Sequence, residues 1–121
     1  MNIIYQDETP WLFELSEFLT DRGLTSGNIS EVVMYVKNNL TDADESALVT
    51  KALTSSQITI SNDGDALEVD INSSDYGSSK MEIGGTYYVS IGLTVTGYSG
   101  VYLEASLKDN TVTILQDGIR S

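Results

Sequence analysis

The sequence predicts an all-β domain of about seven or eight short strands. Three observations lead there. Apolar and polar residues alternate with a period of two over three separate segments. Turn-forming residues recur between the runs at about 8–12-residue intervals, the spacing of a β-sandwich or barrel. Helix-period patterning is almost absent.

Taken in chain order, Ile3–Tyr5 and Trp11–Leu15 read as two short strands that pair with each other at the start of the fold. Ser16–Leu19 has room for one helical turn. Val32–Val36 is apolar on both faces, which suits a central strand. Thr41–Glu45 offers N-cap residues, but too few periodic apolar positions follow to build a helix. Ala47–Leu53 and Gln57–Ile60 read as strands. Asn62-Asp63-Gly64 is a hairpin signal leading into Leu67, Val69 and Ile71, which alternate with Glu68 and Asp70.

Residues 72–83, with two Ser-Ser pairs, loop over one end. Gly84-Gly85 opens the longest strand, with Tyr87, Val89, Ile91, Leu93 and Val95 on one face. Gly97 and Gly100 flank a turn at Tyr98-Ser99. Val101, Leu103, Ala105 and Leu107 then alternate with Tyr102, Glu104, Ser106 and Lys108. Asp109-Asn110 reads as a tight turn before a last strand, Thr111–Leu115. No repeat or linker divides the 121 residues, so residues 1–121 read as one domain. Residues 1–16 are a candidate partner-contacting segment.

Composition narrows the function. There are 18 acidic and 6 basic residues, a formal charge of −12. Phosphate contacts need clustered Lys and Arg, so direct nucleic-acid binding and an anionic membrane surface are both disfavoured. The chain has no Cys and no His. Disulfides, thiolate catalysis, cysteine–zinc sites and histidine general bases are therefore excluded. The first residues lack a basic and then apolar leader, and no apolar run approaches the ~20 residues of a membrane span. The expectation is a soluble protein made in the cytoplasm.

Carboxylates are the abundant reactive groups. Asp63, Asp65, Glu68 and Asp70 lie in or beside one hairpin, and nothing pairs them with a second acid across a cleft as glycoside hydrolysis requires. Asp42-Ala43-Asp44-Glu45 and Asp63-Gly64-Asp65 have a spacing that places two oxygens on one calcium ion, but neither continues into a twelve-residue loop closed by Glu. Solvated loops are the simpler reading. With no His, a serine nucleophile would need one of Lys37, Lys51, Lys80 or Lys108. Ser78-Ser79-Lys80 has no nucleophile-elbow motif around it. The expectation is no enzyme and no cofactor.

Aromatic residues point instead to surfaces. Tyr88 and Tyr102 fall opposite the faces carrying Val89 and Leu103, as an ordinary cross-strand pair or as part of a contact surface. Trp11 anchors either the core or an N-terminal contact. The candidate interface residues are Tyr88, Tyr102 and Glu104, with the segment around Trp11 as an arm.

The order of these pieces carries a resemblance. An acidic start, Tyr5-Gln6-Asp7-Glu8-Thr9, leads into Trp11–Leu15 and then Val32–Lys37. An acidic loop, Ala47–Leu53 and Ile58–Ile60 follow, and then the hairpin and an Asx-rich corner at 72–75. The chain closes with Gly85-Thr86-Tyr87-Tyr88-Val89, Gly100–Leu107 and Thr111–Ile114. Nearly the whole chain resembles the small immunoglobulin-like β-sandwich domain of tailed-bacteriophage virion proteins, of the kind found at the N-terminus of siphophage upper baseplate proteins. It departs from that family in having Tyr-Gln-Asp-Glu-Thr where Arg-Gly-Asp-Thr is usual, and Asp109-Asn110 where a Gly is usual.

The resemblance implies an immunoglobulin-like antiparallel β-sandwich. It also implies a non-enzymatic structural component of a virion, in a tail, baseplate or adaptor. Such a component is made in the host cytoplasm, assembles in several copies and contacts other virion proteins. It carries no catalytic residue over to this chain. The alternatives are a capsid decoration protein, a carbohydrate- or receptor-binding module, and an acidic DNA mimic that interferes with a host enzyme. The last is weakened because the charges scatter over many turns rather than forming two phosphate-like rows.

Overall fold

The computed structural model describes residues 1–61, 66–96, 103–105, 107 and 109–116. It is an immunoglobulin-like β-sandwich with nine strands among the described residues, against the seven or eight expected. The strands are β1 (Asn2–Ile4), β2 (Trp11–Glu14), β3 (Ile29–Lys37), β4 (Val49–Ala52), β5 (Ile58–Ile60), β6 (Ala66–Val69), β7 (Thr86–Val95), β8 (Leu103–Glu104) and β9 (Thr111–Leu115). The larger sheet runs β1-β9-β7-β3-β4, with β8 beside β7, and the smaller runs β2-β6-β5. The neighbours β9-β7-β3-β4 and β2-β6-β5 follow the strand order of the two sheets of an immunoglobulin variable-type domain. All pairs are antiparallel except β1 with β9.

Alternation builds the core. On β7, Tyr87, Val89, Ile91, Leu93 and Val95 are buried, and the residues between them face outward. Trp11 and Phe13 of β2, and Leu67 and Val69 of β6, close the core from the smaller sheet. The one α-helix among the described residues, α1 (Ser16–Asp21), is longer than the single turn expected. It buries Phe18 and Leu19, while Arg22 lies over the Phe18 ring at 3.9 Å. The acidic loop makes one 3-10 turn, Asp44–Ser46. No helix among the described residues is long and apolar enough to cross a membrane.

Four sequence expectations change or gain detail in the structure. First, β1 and β2 do not pair with each other. β1 joins β9 in the larger sheet and β2 joins β6 in the smaller, so the chain crosses between layers over residues 5–10. Second, residues 1–16, the candidate partner-contacting segment, pack against the rest of the domain. Tyr76 donates from its hydroxyl to the Asp7 carbonyl at 2.7 Å, Tyr5 meets Tyr76 edge-on, and the Ser73 amide donates to Glu8. Burial, helped by the Asp7, Asp75 and Glu8 carboxylates, pushes the Tyr76 phenol up to about 12.

Third, the strand expected over 101–107 is only Leu103–Glu104 among the described residues. Fourth, Asp109-Asn110 is not a hairpin turn. β8 and β9 both pair with the same edge of β7, Glu104 opposite Gly92 and Thr111 opposite Tyr88. The chain therefore continues along the same edge of β7 from Glu104 to Thr111 instead of reversing at Asp109-Asn110. Asp109 accepts from the amide and the hydroxyl of Thr111 just before β9. The turn signals at 62–64 and 97–100, Asp63, Asp65 and Tyr102 lie outside the described residues.

The pattern Gly-Thr-Tyr-Tyr has a physical reason. The Tyr87 side chain folds back over the start of its own strand, and its hydroxyl accepts from the Glu82 amide at 2.8 Å. This is the tyrosine corner of immunoglobulin-like sandwiches. A β-carbon on Gly85 would stand 2.7 Å from two carbons of that ring, so only glycine admits the fold-back. Gly84, at φ +82, makes the preceding turn.

Candidate interaction site

The outward face of the larger sheet holds two of the predicted interface residues. Register places Lys37 opposite Tyr88, Tyr35 opposite Ser90, and Val33 opposite Gly92. Glu104 sits on the other flank of Gly92. Since successive side chains alternate, Tyr35, Lys37, Tyr88, Ser90 and Glu104 all lie on the outer face. Gly92 supplies no side chain there, which leaves a depression between Val33 and Glu104.

The depression has a wall. Lys37 is the last residue of β3, and it is only 4% exposed although it points outward. Its ammonium donates to Asp44 Oδ1 at 2.7 Å and to the Asp42 carbonyl at 3.0 Å, and lies 5.3 Å from the Tyr35 ring. These bonds fold the acidic loop onto the sheet, and Asp42 also accepts from the Asn39 amide. The result is a pocket of about 210 Å³ lined by Tyr35, Lys37, Leu40, Asp44, Gly92 and Glu104. It offers a phenol, two carboxylates and the 45%-exposed Leu40. That is a set for recognising a surface by hydrogen bonds and apolar contact.

The other candidates fall as follows. Tyr88 is half-buried and Glu104 exposed, both facing outward as expected. Trp11 is 3% exposed inside the core, so of its two expected roles the anchor is the one the packing shows. Its indole Nε1 is buried with no hydrogen-bond partner among the described residues. Tyr102 is outside the described residues. The Asp44 carboxylate turns to Lys37 and the Asp42 carboxylate to the Asn39 amide, rather than toward each other around an ion, and among the described residues no three acidic side chains converge on one point. Lys80 donates to the Leu48 carbonyl, so its ammonium is held by backbone beside β4. Glu68 is exposed on the smaller sheet, opposite Leu12 and Thr59.

Sequence reasoning missed Tyr35 and Lys37. The signal was present: once Val32, Met34 and Val36 are taken as inward, period two turns Tyr35 and Lys37 outward. It also missed Leu12. With Trp11, Phe13 and Leu15 inward, the same rule leaves Leu12 outward, and it is 66% exposed. No family model, no curated protein and no solved structure matches the chain.

Proposed function

We propose that this domain is a non-enzymatic structural component of a bacteriophage virion, a tail, baseplate or adaptor protein that works through protein–protein contacts. One observation supports it above the others. The chain folds as the immunoglobulin-like sandwich that its resemblance to phage virion domains implies, with the tyrosine corner built on the Gly-Thr-Tyr-Tyr segment that carries part of that resemblance. The link from fold to role is one of analogy. In this reading Tyr88 and Glu104 belong to the contact face, and Tyr35 and Leu40 extend it. The domain is made in the host cytoplasm, enters the particle in several copies, and needs neither cofactor nor nucleic acid to do so.

The test is mass spectrometry of purified particles from an infected or induced host, quantified against the major capsid protein. Recovery at a fixed small copy number per particle is the expected result. Absence from particles, together with no binding to any isolated virion component, overturns the reading. A carbohydrate- or receptor-binding module is the second reading, favoured by the pocket beside Tyr35 and Glu104. Glycan-array binding that is lost in Tyr35→Ala would replace the first reading with the second.

A further inference from the structure

The other side of the sandwich holds a cleft that the contact face does not use. β2 is an edge strand of the smaller sheet, paired only with β6. In an antiparallel pair every second residue turns its N–H and C=O away from the partner strand. On β2 those outward groups meet nothing: neither an amide nor a carbonyl of residues 11–14 bonds any described group beyond the β6 ladder. Directly beside this row lies a cleft of about 270 Å³ with an apolar floor of Phe13, Phe18 and Leu107. Leu12 stands at its mouth, 66% exposed. Glu14 and Glu17 provide its rim.

Two features select the occupant. The volume is below the roughly 300–1,000 Å³ of small-molecule pockets, and it adjoins a row of unpaired backbone groups. An extended peptide satisfies both, pairing with the row while an apolar side chain enters the cleft. Charge selects its composition. No side-chain cation lines the cleft among the described residues, and the Asp109 carboxylate at one end is already taken by the Met1 ammonium. A second copy of the chain would bring another −12 to the same place.

We infer that the open edge of β2 accepts an extended, Lys- or Arg-bearing segment of a different protein, which adds a strand to the smaller sheet and seats an aliphatic side chain against Phe13 and Phe18. The inference stands whether or not the chain is a virion component, because it rests on the cleft alone.

The experiment uses fluorescein-labelled ten-residue peptides that alternate Leu or Val with Lys, and matching peptides with Glu in place of Lys. Binding to the full chain is followed by fluorescence anisotropy and by amide NMR shifts. The expected result is saturable binding of the Lys peptides, with the largest shifts over residues 11–18 and new protection from exchange at alternate β2 amides. Leu12→Asp abolishes binding, and Glu14→Lys with Glu17→Lys weakens it about tenfold or more, the loss expected for removed charge-assisted contacts. Leu12 and Glu14 are exposed, so these variants fold, which circular dichroism checks. Equal binding of the Glu peptides, shifts confined to the Tyr35–Glu104 face, or no binding by any peptide overturns the inference. So does a concentration-dependent dimer that loses its interface in Leu12→Asp, which would make a second copy the occupant.

Discussion

β4 and β2 are both four-residue strands at the edge of a sheet, and they are treated in opposite ways. β4 is closed. The Gln57 side chain accepts from the Ala52 amide at 3.1 Å, and the Gln57 amide donates to the Ala52 carbonyl. Lys80 reaches across to take the Leu48 carbonyl. Thr54, just past β4, donates from its amide and hydroxyl to Glu31 of the neighbouring strand. β2 has none of this, and it carries an exposed leucine beside an apolar cleft. An unguarded edge is an association hazard that folded proteins normally blunt. Of these two edges, β2 is the one that leaves an uncovered row of backbone groups beside an apolar cleft.

The comparison breaks most severely at the ion pair under β4. Lys51 points inward from β4 and is 3% exposed, bonded to Asp75 at 2.8 Å. Asp75 also accepts from the Asn72 amide in the 3-10 turn Ser73–Asp75. Asp75→Ala leaves a buried ammonium without its partner and is expected to cost about 3–5 kcal/mol in urea unfolding. Lys51→Met combined with Asp75→Asn removes both charges and their desolvation cost while keeping an acceptor for the Asn72 amide, and is expected to be neutral or stabilising by ~1–4 kcal/mol relative to wild type. The pair of results distinguishes a charge held by β4 from one that β4 needs.

Smaller effects sharpen the comparison. Gly85→Ala drives a β-carbon into the Tyr87 ring and is expected to cost ~1–3 kcal/mol, the range of an overpacked site. Tyr87→Phe keeps the ring but loses the bond to the Glu82 amide, and its melting shift measures the corner at about 1 kcal/mol. Gln57→Ala opens the β4 edge at a cost of about 1 kcal/mol, and light scattering on heating should show earlier association than wild type. Leu12→Lys closes the β2 edge instead. It should change stability by no more than ~0.5 kcal/mol and delay association on heating. If Leu12→Lys is as destabilising as Gly85→Ala, Leu12 is core and the β2 edge is not open.

Much of the fold is legible in the sequence because strand alternation is local. The inward faces of β6, β7 and β9 follow from residues two apart, and the two sheets follow from many short runs separated by turns. Pairing is not local. β1 meets β9 more than a hundred residues away, and nothing in Asn2–Ile4 encodes that partner. Lys51 reads as outward by its charge, and only Asp75, brought in from the β6–β7 crossover, makes an inward lysine tolerable. Asp109-Asn110 looks like a turn because Asp109 bonds Thr111, two residues on, in the manner of one, whether the chain reverses there or not. On the contact face Tyr88 and Glu104 were legible from alternation, whereas the part built by Lys37 needs the loop it holds.

Amide hydrogen exchange on the free chain tests the central contrast most directly. The Ala52 amide is expected to be protected, because Gln57 covers it. Of the four β2 amides, one alternate pair should be protected by the β6 ladder, and the other should exchange nearly as fast as an exposed loop. Protection of all four β2 amides, or rapid exchange at Ala52, would contradict the account of one guarded edge and one open edge.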